Sequence, residues 1–219
     1  MKKLVYYLSV FCMGISVLSC SDDKEDDKDD KEDITLENVI EIKTDFGDIY
    51  MWLYDETPLH KSNFLALADS GYFNGTTFHR VINNFVIQGG DPNTKDNDPN
   101  NDGSGGPGYT IEAEIDSSLL VHSYGAVGAA RLRDSENPER KSSGSQFYIV
   151  ENPGGTHFLD GDYTVFGFIV SGMDVVEMIA DQPTSGTDKP LSDIIMDIEI
   201  VESWEMDKNL FDSLAFSNN

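Results

Sequence analysis

FHRVINNFVIQGGD, residues 78–91, is the stretch on which the reading of this chain turns. Six apolar residues, Phe78, Val81, Ile82, Phe85, Val86 and Ile87, surround two long polar side chains, Arg80 and Gln88. The pattern reads as an apolar strand pair. An arginine lodged there must be desolvated and hydrogen-bonded, so its presence needs a reason. Two reasons compete. One is a structural arginine at a barrel end, tied to a backbone carbonyl. The other is a functional cation facing a cleft. Composition alone favours the first.

Working outward, short strands dominate. Val39–Lys43 and Ile49–Tyr54 alternate with period two, and Asp45-Phe46-Gly47 between them has the makings of a hairpin turn. Further strands are expected at Phe85–Gln88, Thr110–Ala113, Gly125–Ala130, Gln146–Val150, Val165–Val170 and Ile194–Val201. Thr57-Pro58 reads as an N-cap followed by proline at the first helical position, Leu59–Ser70 as the helix and Gly71 as its stop. Met173–Ala180 is a second short helix. About eight strands with only two helices, and turns between neighbours, predict a mainly β fold: a closed antiparallel barrel.

The chain of 219 residues suits one domain with a full core. Lys2 and Lys3 precede an apolar run from Leu4 to Leu18, which matches a signal-peptide core and is short for a membrane span. Val17-Leu18-Ser19-Cys20 resembles a bacterial lipobox, with Cys20 as the lipidated residue. Residues 1–19 are therefore expected to be a signal peptide. Residues 20–36 are expected to be the lipidated cysteine and a disordered tether, because Ser21–Asp33 holds nine acids, three lysines and no apolar residue. The domain is expected over 37–204, and 205–219 is a polar tail with no assigned role. Cys12 falls in the signal and Cys20 is acylated, so no thiol remains for a disulfide, a nucleophile or a metal. An acidic run starting two residues past the lipid resembles the export signal of Bacteroidetes surface lipoproteins. The expected location is the outer membrane, attached through the lipid anchor and facing the periplasm or the cell surface.

Fifteen basic against 40 acidic residues give a net charge of −25, which argues against nucleic acid as a partner. There is no Gly-x-Ser-x-Gly elbow, no phosphate loop and no His-Glu-x-x-His, and His60, His79, His122 and His157 are scattered. Asp98 to Gly103 opens like a calcium loop, but position twelve is Tyr109 where a glutamate is needed, so a solvated loop is the better reading. No metal and no cofactor are expected.

Residues 78–91 closely resemble the signature segment of the cyclophilins. The resemblance continues in order through Gly103-Ser104-Gly105-Gly106, Gly125 to Arg131, Gly144-Ser145-Gln146-Phe147-Tyr148, Phe158-Leu159-Asp160-Gly161, Thr164 to Gly167 and Gly172 to Val176. The resemblance implies a closed eight-stranded antiparallel β-barrel capped by two α-helices and a peptidyl-prolyl cis-trans isomerase, a monomer acting on unfolded or extended proline-containing polypeptides. It implies Arg80 as the catalytic arginine, with Gln88 orienting it. Phe85, Val86, Tyr148 and Leu159 would wall the proline pocket and Phe158 its rim. Gln146 would hold the substrate backbone, and Ala130, Arg131 and Leu132 would form the edge that pairs with the peptide. Tyr163 stands where many members have a pocket histidine. Val86 replaces the more usual methionine, Tyr148 replaces phenylalanine and Arg131 stands where eukaryotic members often have asparagine. With the signal, the chain reads as an isomerase of exported proteins. The competing reading is a non-catalytic peptide-binding or adhesion module on the same barrel.

Overall fold

The structure is a computed structural model and describes residues 33–96, 98–208 and 211. The expected signal 1–19, Cys20 and tether residues 21–32 lie outside the described residues, as do 209, 210 and 212–219 of the tail.

The strands are β1 (Asp33–Thr44), β2 (Gly47–Leu53), β3 (Thr76–Thr77), β4 (Arg80–Ile82), β5 (Val86–Gly89), β6 (Thr110–Ile111), β7 (Ala126–Ala129), β8 (Ser142–Ser143), β9 (Phe147–Val150), β10 (Val165–Ser171) and β11 (Ile195–Asp207). The helices are α1 (Pro58–Asp69) and α2 (Met173–Ala180). The fold is thus mainly β with two helices. One sheet has nine strands in the order β3-β11-β1-β2-β10-β7-β9-β5-β4, and β6 pairs with β8 separately. Every paired ladder is antiparallel. The ninth strand arises because β3 and β4, too short to read from periodicity, sit at the two ends of the order with only Phe78 and His79 between them in the chain.

The long ladder exceeds the expected bounds at both ends. β1 pairs with β11 from Asp33↔Asp207 to Thr44↔Met196. Leu36 opposite Trp204 and Ile34 opposite Met206 carry the apolar alternation into segments whose overall composition is polar. Phe211, from the tail, lies 5.3 Å from the Trp52 ring and 5.6 Å from that of Phe168.

Helix α1 starts with Pro58 as expected, but Thr57 makes no side-chain cap. The carboxylate of Glu114 does this work, accepting the N–H groups of Leu59 and His60 at 3.0 Å each and the His60 ring Nδ1 at 2.6 Å. An anion at the helix N-terminus also suits the helix dipole. At the other end Gly71 adopts φ +67, and Tyr72 N–H returns to Leu67 O at 2.9 Å, which closes the helix with a left-handed glycine.

Alternation divides the longer strands between two apolar clusters. In β9, Phe147 and Ile149 join α1 and α2 in the larger cluster, while Tyr148 and Val150 join the other. In β5, Ile87 joins the first cluster and Val86 the second. The second cluster is where a cleft can form, because β7 puts Gly128 opposite Tyr148. A Cβ on Gly128 would lie inside the Tyr148 ring. Gly128→Ala is therefore expected to destabilise the domain by about 1–3 kcal/mol, the cost of overpacking, read as a lower midpoint in chemical denaturation. An unchanged midpoint would show that the ring has room to move.

Candidate active site

Strand register assembles the site. Arg80 in β4 is opposite Gln88 in β5, Gln88 is opposite Tyr148 in β9, and Tyr148 is opposite Gly128 in β7. These positions form one row across four strands. The row borders a cavity of about 150 Å³ lined by Arg80, Phe85, Val86, Gln88, Ala130, Arg131, Tyr148, Leu159 and Tyr163. Three of the residues singled out in the sequence stand outside this lining. Gln146 lies behind Gln88, Phe158 is 73% exposed at the rim, and Leu132 is 62% exposed on the adjoining edge.

The guanidinium of Arg80 is fixed by a chain of amides. Gln146 Nε2 donates to Gly103 O at 3.1 Å and Gly105 O at 2.8 Å. Gln88 Nε2 donates to Gln146 Oε1 at 3.1 Å, and Arg80 Nη1 donates to Gln88 Oε1 at 3.3 Å. Arg80 lies 5.9 Å from the Phe85 ring centroid, and Phe85 stacks on Phe158 at 5.7 Å and 15°. Asp188, held in a left-handed conformation at φ +63, places Oδ2 3.9 Å from Arg80 Nε. The arginine is thus neither tied to a backbone carbonyl nor buried. It stands at the cavity edge, partly exposed, with one face packed and its charge only loosely offset.

On the expected edge, Ala130 has both main-chain groups engaged: its N–H bonds to Gln146 O at 3.0 Å and its C=O accepts from Ser143 N–H at 2.7 Å. It therefore lines the cavity with its methyl group rather than offering a free main chain. Arg131 is the residue of that edge whose main-chain N–H and C=O have no partner among the described residues.

The pocket floor contains residues that sequence reasoning missed. The Tyr148 hydroxyl is 2.8 Å from His122 Nε2, and His122 Nδ1 is 2.7 Å from Asp160 Oδ1, which also accepts the His122 backbone N–H at 2.7 Å. His157 Nδ1 meets the other Asp160 oxygen at 2.9 Å. Burial works against the Asp160 charge, but the bonds from His122 and His157 win and its pKa lies below the usual value. Burial lowers the His122 pKa despite Asp160, so the ring is neutral, with its proton on Nδ1 facing the carboxylate. Burial also pushes the Tyr148 phenol well up, so it stays protonated and donates to the bare Nε2. His122 looked like one scattered histidine. The available signal was Tyr148 itself, since a buried tyrosine needs a partner for its hydroxyl.

These features define a class: a mainly β protein with a pocket of mixed apolar and polar walls beside a fixed arginine, an arrangement suited to gripping a peptide. Comparison with known proteins supplies the family. The family model for cyclophilin type peptidyl-prolyl cis-trans isomerases matches residues 39–200. A peptidyl-prolyl cis-trans isomerase of Arabidopsis thaliana is 36% identical over 161 residues, covering 71% of this chain and 90% of that one. One from Schizosaccharomyces pombe is 37% identical over 156 residues, covering 69% and 91%. The crystal structure of a cyclophilin type isomerase from Cryptosporidium parvum superposes with a TM-score of 0.66 at 31% identity, covering 75% of this chain and 98% of that one. The chain belongs to the cyclophilin-type peptidyl-prolyl cis-trans isomerase family, and its activity is that of an isomerase.

The buried histidines give the domain a pH dependence. His60, His79 and His122 all have pKa values lowered chiefly by burial. The unfolded chain takes up protons near pH 6.5 while the folded rings resist them, so stability falls as pH drops below about 6.5 towards the folded values. The urea midpoint is expected to be lower at pH 5.5 than at pH 7.5, with a smaller difference in His122→Gln. Equal midpoints for the native chain at the two pH values would rule this linkage out.

Proposed function

We propose that this isomerase catalyses X-Pro rotation in exported polypeptides, with Arg80 as the group that acts on the twisting amide. The observation that carries the assignment is the amide-fixed guanidinium at the edge of a cavity walled by Phe85, Val86, Tyr148 and Leu159. An X-Pro bond rotates over a barrier of about 18–20 kcal/mol and breaks no covalent bond. As the amide twists, resonance is lost and the proline nitrogen gains a lone pair. A cation aimed there binds the transition state better than the ground state, which is the condition for catalysis. Phe85, Val86, Tyr148 and Leu159 hold the ring, with Phe158 at the rim. Gln88 and Gln146 keep the guanidinium aimed, and the edge at residues 130–132 receives the peptide. A second crystal structure of the Cryptosporidium parvum protein, 33% identical with a TM-score of 0.64, was obtained in the presence of the dipeptide Ala-Pro, which supports a proline ligand at this kind of site.

The barrel reading belongs to the same proposal: the two end strands of the sheet are joined by Phe78 and His79 alone, which favours closure of the sheet upon itself. So does the address. Lys2-Lys3, the apolar run, Leu18-Ser19-Cys20 and the acidic run support a bacterial lipoprotein of the outer membrane, with the domain carried as a monomer on a charged tether.

Two measurements test these assignments. Arg80→Lys retains a cation but not the planar fork, and is expected to lose at least tenfold in kcat/KM on a short X-Pro peptide with the fold intact. Peptide binding without acceleration by the native chain would favour the non-catalytic module. Cys20→Ser, expressed with the full leader, is expected to leave the membrane fraction for the soluble one, and its retention in the membrane would remove the lipid anchor from the account.

A further inference from the structure

The chain has only four arginines, Arg80, Arg131, Arg133 and Arg140, against 40 acids. Two of them line the cavity, Arg140 bonds the loop that carries Tyr163, and Arg133 follows the exposed edge residue Leu132. Arginine differs from lysine in presenting five donors in a fixed plane, so its confinement to this region points to directed hydrogen bonding.

Arg131 shows what that directed bonding serves. Its side chain is only 4% exposed, and its plane lies 4.4 Å from the Tyr163 ring centroid. Nε donates to Asp162 O at 2.8 Å, and Nη1 donates to Leu132 O at 2.9 Å and Asp134 Oδ1 at 2.6 Å. Arg140 locks the same assembly, reaching Asp134 Oδ2 at 3.2 Å, Gly161 O at 3.0 Å and Asp162 Oδ1 at 2.7 Å. Three of the five donors are thus spent. The two on Nη2 have no partner among the described residues, although the residue lines the cavity. Largely desolvated donors gain most from meeting an acceptor.

We infer that Arg131 Nη2 is a second hydrogen-bond donor to the substrate, separate from Arg80, taking an oxygen acceptor on the residue next to the proline. The acceptor is a main-chain carbonyl or a side-chain carboxylate. The two arginines have different surroundings and so different roles. Arg131 is bonded on three donors, one of them to the Asp134 carboxylate, so it is a rigid grip whose bond is the same in ground and transition states. Arg80 has one side-chain bond and a loosely placed acid, so its charge remains available to the twisting amide. Isomerisation requires one flank of the bond to be held while the other rotates, and Arg131 holds it.

The inference rests on the isomerase assignment, and turnover by the native chain in the same assay establishes that separately. A grip of this kind affects KM and leaves kcat alone. In Arg131→Gln, KM for a short X-Pro peptide is expected to rise about tenfold, the loss of one charge-assisted hydrogen bond, with kcat within twofold. Arg131→Lys keeps a cation near Tyr163 and Asp134 but has no Nη2, and is expected to show the same rise, which covers the case of a misfolded glutamine variant. Peptides with alanine or glutamate beside the proline separate the two acceptors: an equal rise for both identifies the carbonyl, and a rise for glutamate alone identifies the carboxylate. An unchanged KM for both peptides in either folded variant overturns the inference. So does a fall in kcat as large as the rise in KM in both variants, the mark of a disturbed site and not of a lost grip.

Discussion

The hydrogen bond between Gln88 and Gln146 sets the direction of everything around the cleft. Gln146 gives both N–H groups to the carbonyls of Gly103 and Gly105, so its oxygen must face Gln88. Gln88 must then donate with its nitrogen, which leaves its oxygen for Arg80. A primary amide has two ends, and three contacts in series leave no freedom to flip either one. The chain is anchored in turn by Asp91, which is fully buried and accepts the N–H groups of Asn93 at 2.8 Å and Gly105 at 3.0 Å. The aim of one guanidinium is therefore transmitted from a loop carbonyl through two strands.

The pocket exists because the sheet is apolar on both sides. The larger cluster fixes the sheet against α1 and α2, so the strands do not depend on the site for stability. The other face is then free to hold Val86, Tyr148 and Leu159 around a cavity, with Gly128 giving the space that the Tyr148 ring occupies. Beneath it the Tyr148–His122–Asp160 series satisfies polar atoms that would otherwise be costly to bury.

Much of this was legible in the sequence, for physical reasons that also explain the gaps. Period-two alternation revealed the Val39–Tyr54 hairpin, and Pro58 and Gly71 bracketed α1, because those signals are local. Arg80 and Gln88 stood out as polar residues in an apolar segment, but Ala130, Arg131, Tyr148, Leu159 and Tyr163 were reachable only through ordered blocks of resemblance, since register between distant strands brings the site together. Two- and three-residue strands such as β3 and β4 carry no periodicity to read. Glu114 capping α1 from 54 residues away along the chain has no local trace, whereas Thr57 had the right residue type but turns its hydroxyl to Tyr54 O and makes no cap. The start of β1 was hidden by composition: Ile34 and Leu36 alternate correctly, but they adjoin the acidic run, and their partners Trp204 and Met206 lie among Glu202, Glu205 and Asp207.

The β1–β11 ladder has a mechanical consequence. Eleven residue pairs join the first strand to the last, and β1 is also bonded along its other side to β2. A pull applied along β1 from residue 33 runs parallel to the strand, so the load falls on many inter-strand hydrogen bonds in shear and does not open them one after another. The cleft, built on β4, β5, β7 and β9, lies on the far side of β10 and β2 from that loaded strand. Tension entering at the N-terminal end is thus carried by the part of the sheet that lies away from the cleft.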